Sequence, residues 1–195
     1  KELDEKRAKD ICRIIERRKA KAVSICFMNA YMNGENERKM QDIILKHFPD
    51  LPISISSQIM PEIFEHERFS TTVANACLSP VVVEYTQKLY NDLKKGGYER
   101  DLLLLHSGGG VMTSSSVKDF AARLAGSGIA AGAIASRFIA MQCGFDNSIG
   151  FDMGGTSTDI SLVYNGDSRI TKDWYVEYGY PIRFPSIEVL TIGAG

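Results

Sequence analysis

The residues best suited to chemistry lie near the end of the chain, in the run from Asp152 to Asp159. An apolar stretch ends at Asp152, two glycines and three hydroxyl residues follow, and a second apolar stretch begins after Asp159. This pattern is typical of a β-hairpin that binds phosphate, because glycines let backbone N–H groups approach an anion closely. The predicted phosphate contacts are the glycines and hydroxyl residues of the turn, Gly154, Gly155, Thr156, Ser157 and Thr158.

The two acids that flank this turn, Asp152 and Asp159, are predicted to be both catalytic residues and metal ligands. Carboxylates at these positions can hold Mg²⁺ directly or through its waters. A plain hairpin is the alternative, since Gly-Gly between two apolar runs is a good turn signal without any ligand. The pair of acids favours the phosphate site, because a purely structural hairpin does not need both.

Hydrophobic periodicity predicts the elements that position this turn. The predicted helices cover residues 3–19, 35–48, 72–93 (interrupted or kinked near Pro80), 114–124 and 126–142. The predicted strands cover residues 22–27, 53–59, 102–105, 148–152, 160–164, 169–176 and 187–192. The first strand–helix–strand unit suggests a parallel pair. Residues 61–72 are predicted to be a connector at a domain boundary, Asn165–Gly166 a turn, and residues 179–185 a loop.

Two further glycine-rich turns are candidate ligand sites. Gly109 and Gly110 follow a predicted buried strand, and open α/β sheets bind ligands beyond the carboxyl ends of their strands. A tight strand-to-helix turn explains the two glycines equally well. Ser127 and Gly128 open a helix whose N-terminal amides can bind an anion, with close helix packing as the alternative. A dinucleotide loop is disfavoured here, because the preceding residues are predicted to be helical.

A serine hydrolase is the main enzymatic competitor, with His106, Ser107 and Ser127 as available residues. Neither serine lies in a Gly-x-Ser-x-Gly motif, and no acid and histidine follow in a recognisable order. The sequence therefore favours nucleotide binding.

Composition restricts the protein class. The chain has 195 residues, 44% hydrophobic and 24% charged, which is typical of a soluble globular protein. A net charge of −1 gives no nucleic-acid footprint, and no apolar run reaches the length of a membrane span. The 4 cysteines are dispersed, which predicts free thiols and a cytoplasmic location. Since the chain starts inside a charged helix without Met and ends in Gly-Ala-Gly, we interpret it as a fragment.

Taken together, several blocks resemble the hydantoinase A / 5-oxoprolinase family, which includes ATP-dependent hydantoinases and subunits of acetone and acetophenone carboxylases. The resemblance extends from about Lys21 to Gly195, and its most specific block is Phe151 to Asp159. Supporting blocks lie at residues 33–38, 61–76, 109–112, 127–128 and 192–195. One departure is Ile129, where the family usually has Pro after Ser-Gly.

The resemblance implies an α/β fold of the actin-like ATPase superfamily, in which two ribonuclease-H-like domains close over ATP. It identifies residues 151–159 as the phosphate hairpin of the second domain, and Gly193 as part of a nucleotide-side loop. Residues 1–60 would be the C-terminal part of the hydantoinase/oxoprolinase N-terminal domain. Residues 61–195 would be the N-terminal part of the hydantoinase A domain.

The function that the resemblance implies uses ATP and Mg²⁺ to phosphorylate a carbonyl or amide oxygen of a small molecule such as a hydantoin, oxoproline or ketone. A hydantoinase B-like subunit is the implied partner. The other phosphate hairpin of the family is absent from this sequence, so the fragment is expected to be inactive alone. The alternative is a non-catalytic nucleotide-binding or assembly module of the same superfamily.

Overall fold

The computed structural model describes residues 2–175 and 177–193. The chain divides into two compact units. Unit 1 comprises Lys1–Arg100, Ser114–Ala122 and Tyr175–Arg183, and unit 2 comprises Asp101–Thr113, Arg123–Trp174 and Phe184–Gly195. The units group residues that contact one another in space and do not follow the order of the chain. They therefore do not test the predicted family-domain boundary near residue 60, which stays a prediction.

Unit 1 is an α/β unit built around two short strands. Its helices and strands are α1 (Glu5–Arg18), β1 (Val23–Ile25), α2 (Glu35–His47), β2 (Ile53–Ile55), α3 (Ser56–Ile59), α4 (Glu65–Lys95) and α5 (Val117–Phe120), with 3₁₀ turns at Ser114–Ser116 and Glu177–Gly179. Strands β1 and β2 pair in parallel, which confirms the prediction made from the strand–helix–strand pattern. Helix α4 runs through Pro80 without interruption.

The core of unit 1 lies where α1 and α2 pack against this strand pair. Helix α1 buries Ala8, Cys12 and Ile15, which recur at helical spacing on one face. Its start is fixed by Asp4, whose carboxylate accepts hydrogen bonds from the N–H groups of the first turn. Burial of these apolar side chains in one cluster with those of the strands is the main stabilising term for the unit.

A largely buried polar cluster of Glu37, Ser56, Glu65 and Arg68 joins three helices of unit 1, α2, α3 and α4. Glu37 and Arg68 are both 0% exposed. The Glu37 carboxylate accepts hydrogen bonds from the Phe27 N–H at 2.7 Å and from the Ser56 hydroxyl at 2.6 Å. The Arg68 guanidinium donates to the Ser56 hydroxyl at 3.2 Å and forms an ion pair with Glu65. Each buried charge is thus hydrogen-bonded, as its burial requires.

This cluster explains two errors of the sequence-based prediction. The predicted strand over residues 53–59 ends at Ile55, because Ser56 turns inward to Glu37 and begins α3. The predicted connector over residues 61–72 is mostly helix, since α4 begins at Glu65 rather than Thr72. Arg68 lies one turn into α4, where its contacts hold the start of the helix.

Unit 2 contains most of the glycine-rich turns. Its helix and strands are β3 (Leu103–Leu105), β4 (Val111–Thr113), α6 (Ser127–Gln142), β5 (Ser148–Met153), β6 (Thr158–Tyr164), β7 (Asp167–Ser168), β8 (Ile170–Tyr175), β9 (Pro181–Ile187) and β10 (Val189–Ile192). Tyr175 and the first residues of β9 are grouped with unit 1, and a 3₁₀ turn at Ala121–Leu124 precedes α6. The predicted loop over residues 179–185 is wrong, because β9 begins at Pro181 and pairs with β8.

The main sheet of unit 2 has the order β10–β6–β5, with β7 also paired to β6. Both strand pairs that involve β6 along this path are antiparallel. The predicted Asn165–Gly166 turn is confirmed, with φ values of 50° and 78° that suit a tight hairpin. Helix α6 packs closely on one face, since a Cβ at Gly150 would lie 2.5 Å from the Ser136 hydroxyl.

The opposite face of this sheet carries exposed apolar side chains, because alternate residues of each strand point away from α6. We call it the apolar sheet face. Its members are between 40% and 72% exposed: Ile149, Phe151, Met153, Leu162, Tyr164, Leu190 and Ile192.

Helix length and hydropathy bear on membrane spanning. Among the described residues, no single helix is both long and apolar enough to cross a bilayer. One bent pair of helical segments, Ser114–Leu124 with Ser127–Gln142, reaches the length and hydropathy of a membrane span only when both segments are counted together. This judgement rests on length and composition alone.

Candidate phosphate and metal site

The candidate site is the turn of the β5–β6 hairpin, and the structure confirms that this segment is a hairpin. Met153 pairs with Thr158 across it, and Asp152 pairs with Asp159 one position further from the turn. The N–H of Gly154 donates to the carbonyl of Ser157 at 2.9 Å, which closes the loop between the strands. The two predicted metal ligands are therefore brought side by side at the base of the glycine turn.

Gly154 and Gly155 are not explained by the fold of this chain. Neither has a positive φ, so the backbone conformation does not require glycine. A Cβ at Gly155 would meet nothing within 4 Å, and one at Gly154 would meet only the Ser157 carbonyl at 3.7 Å. Their missing side chains leave room on the outside of the turn, where a ligand can approach the backbone.

The hydroxyl residues of the turn differ in accessibility. Thr156 is exposed and Ser157 is half-buried, so both hydroxyls can reach a ligand. Thr158 is only 1% exposed, so its side chain lies inside the protein in this conformation. The structure thus presents Thr156 and Ser157 at the surface, while the predicted role of Thr158 stays a prediction.

The carboxylate of Asp159 is held by a residue that the sequence prediction missed. Thr191 of β10 lies opposite Asp159 in the sheet, and its hydroxyl donates to Asp159 Oδ1. The row Asp152–Asp159–Thr191 therefore crosses three neighbouring strands on the side that α6 covers. In the sequence, Thr191 is simply a hydroxyl residue in the last predicted strand. That it lies opposite Asp159 can be recognised only once the strand register is known.

Gly132 is a second residue that was missed as part of the site. A Cβ on Gly132 would lie 2.7 Å from Asp152 Oδ2, so the carboxylate occupies the space that this glycine leaves on α6. The predicted alternative, that the small residues of this helix serve close packing, is confirmed at Gly132. The contact places Asp152 against the second turn of the helix.

Gly109 and Gly110 lie in a hairpin loop, because β3 and β4 are antiparallel neighbours rather than a strand followed by a helix. The predicted strand is also less buried than expected, since Leu103 is 57% exposed. Gly109 has φ +83°, and a Cβ on Gly110 would lie 2.8 Å from the His106 ring. Conformation and packing thus account for both glycines without a ligand, and their predicted nucleotide contact stays a prediction.

The serine hydrolase alternative gains no support from the geometry around His106. The Ser107 hydroxyl donates to the Arg123 carbonyl at 2.9 Å, and His106 Nδ1 accepts the Gly108 N–H at 3.1 Å. Burial, followed by the nearby Arg123 guanidinium, lowers the pKa of His106 below its usual value. Both side chains are therefore engaged in holding the loop.

The prediction that a helix opens at residues 126–128 is confirmed, and the structure places Gly126 as N-cap and Ser127 as the first residue of α6. Gly126 has φ +77°, and no side chain caps the helix, so the amides of the first turn stay available. A Cβ added to Gly128 or to Gly193 would meet nothing within 4 Å, so packing within the chain does not require either glycine.

A pocket of about 240 Å³ in unit 2 joins some of these segments. Ser107 from the loop after β3, Gly126 and Ile129 at the start of α6, and Ser186 and Thr191 from the last strands line it. Thr191 connects the pocket to the carboxylate row through its bond to Asp159. Gly109, Gly110, Ser127, Gly128 and Gly193 do not line this pocket.

The donor set suits Mg²⁺ better than a metal with an all-protein cage. Within residues 2–175 and 177–193, no three His, Cys, Asp or Glu side chains gather as metal ligands. Asp152 and Asp159 supply carboxylate oxygens, and Mg²⁺ commonly takes one or two carboxylates and completes its shell with water and phosphate oxygens. The residues present therefore fit a Mg²⁺–phosphate group at the turn.

Comparison with known proteins identifies the family. The family model described as hydantoinase/oxoprolinase matches residues 68–195, and the chain therefore belongs to this family. An uncharacterised protein of Methanocaldococcus jannaschii is 33% identical over 99% of this chain and 30% of its own length. The caprolactamase subunit alpha of Pseudomonas jessenii is 33% identical over 89% of this chain and 25% of its own length.

A solved structure shows the same fold. The nucleotide-free structure of acetone carboxylase, which concerns the mechanism of ATP-dependent acetone carboxylation, matches this chain with a TM-score of 0.87 at 27% identity. The match covers 99% of this chain and 27% of that one. The chain thus spans between a quarter and a third of the length of these relatives.

Proposed function

We propose that this chain carries one phosphate-binding half of an ATP-dependent enzyme that phosphorylates a carbonyl or amide oxygen of a small molecule. The observation that carries the proposal is the turn at Gly154 and Gly155. Two glycines that the fold does not require stand beside two opposed carboxylates. The glycines would leave room for a phosphate at the turn, and the two acids would hold Mg²⁺, which would account for both features.

In this proposal each group has a separate task. The backbone N–H groups of Gly155 and Thr156 and the hydroxyls of Thr156 and Ser157 donate to phosphate oxygens. Asp152 and Asp159 would hold Mg²⁺, and Thr191 orients the Asp159 carboxylate through its hydrogen bond. Bound Mg²⁺ would supply charge neutralisation for phosphoryl transfer. Ser127, Gly128, Gly109, Gly110 and Gly193 are proposed as further nucleotide contacts.

The proposed wider architecture is that of the actin-like ATPases, with residues 61–195 in the hydantoinase A domain and residues 1–60 in the preceding domain. An antiparallel hairpin with a helix packed across its sheet supports this assignment. The sequence carries one phosphate hairpin, so we infer that the chain alone binds nucleotide without turning it over.

The substrate class and partner are inferred from relatives. The names of the relatives point to lactams and ketones, which share a carbonyl group next to an apolar carbon body. Caprolactamase is named as having a subunit alpha, and we propose a second subunit, of the hydantoinase B type, for this protein too. Free cysteines at Cys12, Cys26, Cys77 and Cys143 support a cytoplasmic location.

Calorimetric titration with Mg·ADP tests the proposal. We expect saturable binding that is lost in Asp152→Ala and retained in Asp146→Ala, an exposed acid in the turn before β5. Absence of nucleotide binding in the native protein would overturn the proposal. Retained binding without substrate-dependent ATP hydrolysis in the whole protein would favour a non-catalytic module instead.

A further inference from the structure

We propose that the apolar sheet face of unit 2 is an internal interface, and that an amphipathic helix of the same polypeptide, from outside residues 1–195, covers it in the whole protein. The inference concerns how this unit is completed rather than how it binds nucleotide. It rests on the interpretation of the chain as part of a longer protein, and it does not depend on the proposed phosphate site.

The main sheet of unit 2 has its polar and apolar sides reversed. Along β5, the side that faces α6 carries a serine, a glycine and an acid: Ser148, Gly150 and Asp152. The side that faces away carries only large apolar residues: Ile149, Phe151 and Met153. A sheet with one solvated face normally places its apolar residues toward the core and its polar residues toward water. The reversal indicates that the face left exposed by the described residues is built for burial.

The neighbouring strands repeat this pattern in register. Phe151, Ile160 and Leu190 lie opposite one another across β5, β6 and β10, so their side chains share one side of the sheet. Ile149 and Leu162 are opposite each other in a second row. The apolar residues therefore form one continuous patch rather than scattered exposed positions, and patches of this kind mark interaction sites.

The apolar sheet face carries no charge. Among the residues of β5, β6 and β10, all of which the structure describes, Asp152 and Asp159 are the charged ones. They pair with each other across the hairpin, and the contact of Asp152 with Gly132 places this pair on the α6 side. An interface without charge on this side calls for an apolar cover.

The contact with α6 gives the sheet only a limited core. The buried residues of α6 are Ala130 and Ala133, whose side chains are single methyl groups. Val163 is the one apolar side chain of β5 and β6 that is buried toward this helix. Since burial of apolar surface is the main favourable term in folding, the sheet needs its other face for a full core. Such a cover has to fold with the sheet, which favours a segment of the same polypeptide.

The dimensions of the face fit a helix. Strands spaced about 4.8 Å apart place β5 and β10 about 10 Å from each other, and the 6 residues of β5 extend about 20 Å. A helix is about 10 Å wide and extends 20 Å in about 13 residues. A helix on this face, opposite α6, would complete a layered α/β arrangement. Its side toward the sheet should be an apolar stripe at helical spacing, with its charges on the other side.

The lengths of the relatives provide a source for this helix. The chain spans 27% of the acetone carboxylase chain and 25% of caprolactamase subunit alpha. Most of each relative therefore lies outside the matched region, within the same polypeptide. A second copy of this chain is the competing occupant, because two such faces can pack as sheet on sheet.

The first test compares alkylation of a cysteine on the face in the 195-residue chain and in the whole protein. Leu162 is 61% exposed, so Leu162→Cys should react quickly with iodoacetamide in the chain. In the whole protein we expect its rate to fall roughly hundredfold or more, because reaction then requires local opening. Ser161→Cys is the matched control: it faces α6, is 5% exposed in the native chain, and should react slowly in both proteins.

A photo-cross-link identifies the occupant. Leu162 is replaced by p-benzoylphenylalanine in the whole protein, and the peptide linked on irradiation is sequenced by mass spectrometry. We expect a peptide of the same polypeptide from outside residues 1–195, with apolar residues at helical spacing. The same replacement at Arg13, whose side chain is 82% exposed on α1, should not capture that peptide.

The proposal is overturned if Leu162→Cys reacts equally fast in the chain and in the whole protein. Protection that disappears on dilution, or a linked peptide within residues 1–195, would establish a second copy instead. A peptide from another polypeptide, one without helical spacing, or no linked peptide contradicts the proposal as well. If the Leu162 variants are not folded by circular dichroism, the same replacements at Ile149, its register partner on β5, decide. Mg·ADP binding is read separately, so failure of the proposed function stays distinguishable.

Discussion

Asp152 and Asp159 lie directly opposite each other across the β5–β6 hairpin. Like charges at such positions destabilise a strand pair by about 0.2–1 kcal/mol. In Asp159→Asn the side chain keeps an oxygen for the Thr191 hydroxyl and loses only the charge. We therefore expect this variant to be slightly more stable than the native chain in EDTA, by thermal denaturation.

The same variant should lose the stabilisation that Mg²⁺ with ADP gives to the native chain, because one metal ligand is neutralised. Asp146→Asn, which lies outside the hairpin, serves as the control. An equal rise of Tm with Mg·ADP in all three proteins would contradict the role of Asp159.

Gly155→Ala should raise the stability of the chain and lower its affinity for Mg·ADP. Because Gly155 has no positive φ and a Cβ there meets nothing within 4 Å, alanine should stabilise the chain by about 0.4–1 kcal/mol. The added methyl stands where phosphate approaches, so Mg·ADP affinity should fall by roughly tenfold, about 1.4 kcal/mol. Denaturant titration and calorimetry measure the two effects.

Gly166→Ala is the matched control for this glycine. Its φ is +78°, so alanine should destabilise the chain by backbone strain while nucleotide affinity is kept. Unchanged affinity in Gly155→Ala would argue that the turn does not contact phosphate.

Gly132→Ala tests the contact between α6 and Asp152. Alanine raises helix propensity by about 0.5–1 kcal/mol, but its Cβ would lie 2.7 Å from Asp152 Oδ2. Because the carboxylate ends a flexible side chain, we expect it to move, with little change in Tm and weaker Mg·ADP binding by calorimetry. Ala135→Ser, exposed on the same helix, should bind normally; equal affinity in both variants would show that this position of Asp152 is not needed.

The cysteines should fall into two classes by their rate of alkylation, one slow and one fast. Burial, reinforced by the Glu37 carboxylate, raises the pKa of Cys26 to about 11, and burial also raises the pKa of Cys12. At pH 8 the thiolate fraction of Cys26 is then on the order of one in a thousand. Mass spectrometry after brief iodoacetamide treatment should find Cys77 and Cys143, which are exposed, modified first. Early modification of Cys26 would show that its surroundings open in solution.

Acid should weaken unit 1 through Glu65. The Arg68 guanidinium, and then the Asn29 N–H, hold the pKa of Glu65 below its usual value of 4.5. A lowered folded-state pKa stabilises the protein above the unfolded value, and this stability is lost as the pH falls through the folded value. The urea midpoint should therefore drop below pH 4.5, and less steeply in Glu65→Gln. Identical pH profiles would contradict this contribution of Glu65.

The sequence predicted those parts of the fold that depend on local signals. The hairpin, the Asn165–Gly166 turn and the start of α6 were found because glycines and apolar runs mark them directly. Helix α3 was missed because alternating Ile and Ser in residues 53–59 mimic a strand, and only the contact of Ser56 with distant Glu37 ends it. Strand β9 was missed because Pro181 and Pro185 indicate a loop in the sequence. In the structure, Pro181 begins the strand and Pro185 is exposed on it.

The missed site residues share one cause. Thr191 meets Asp159 from 32 residues away, and Gly132 meets Asp152 across a helix–sheet contact. Neither neighbour can be read from spacing along the chain, because each depends on strand register and helix placement. The acids and glycines of the turn, by contrast, are adjacent in sequence and therefore identified the candidate site.

The apolar sheet face has a practical consequence for every experiment described above. Large apolar side chains that are at least 40% exposed along three neighbouring strands favour self-association in water. Apparent Tm and midpoint values measured on the chain should then vary with protein concentration. Colloidal behaviour, monitored by light scattering across a dilution series, is thus the first property to establish before any change in binding is attributed to a single residue.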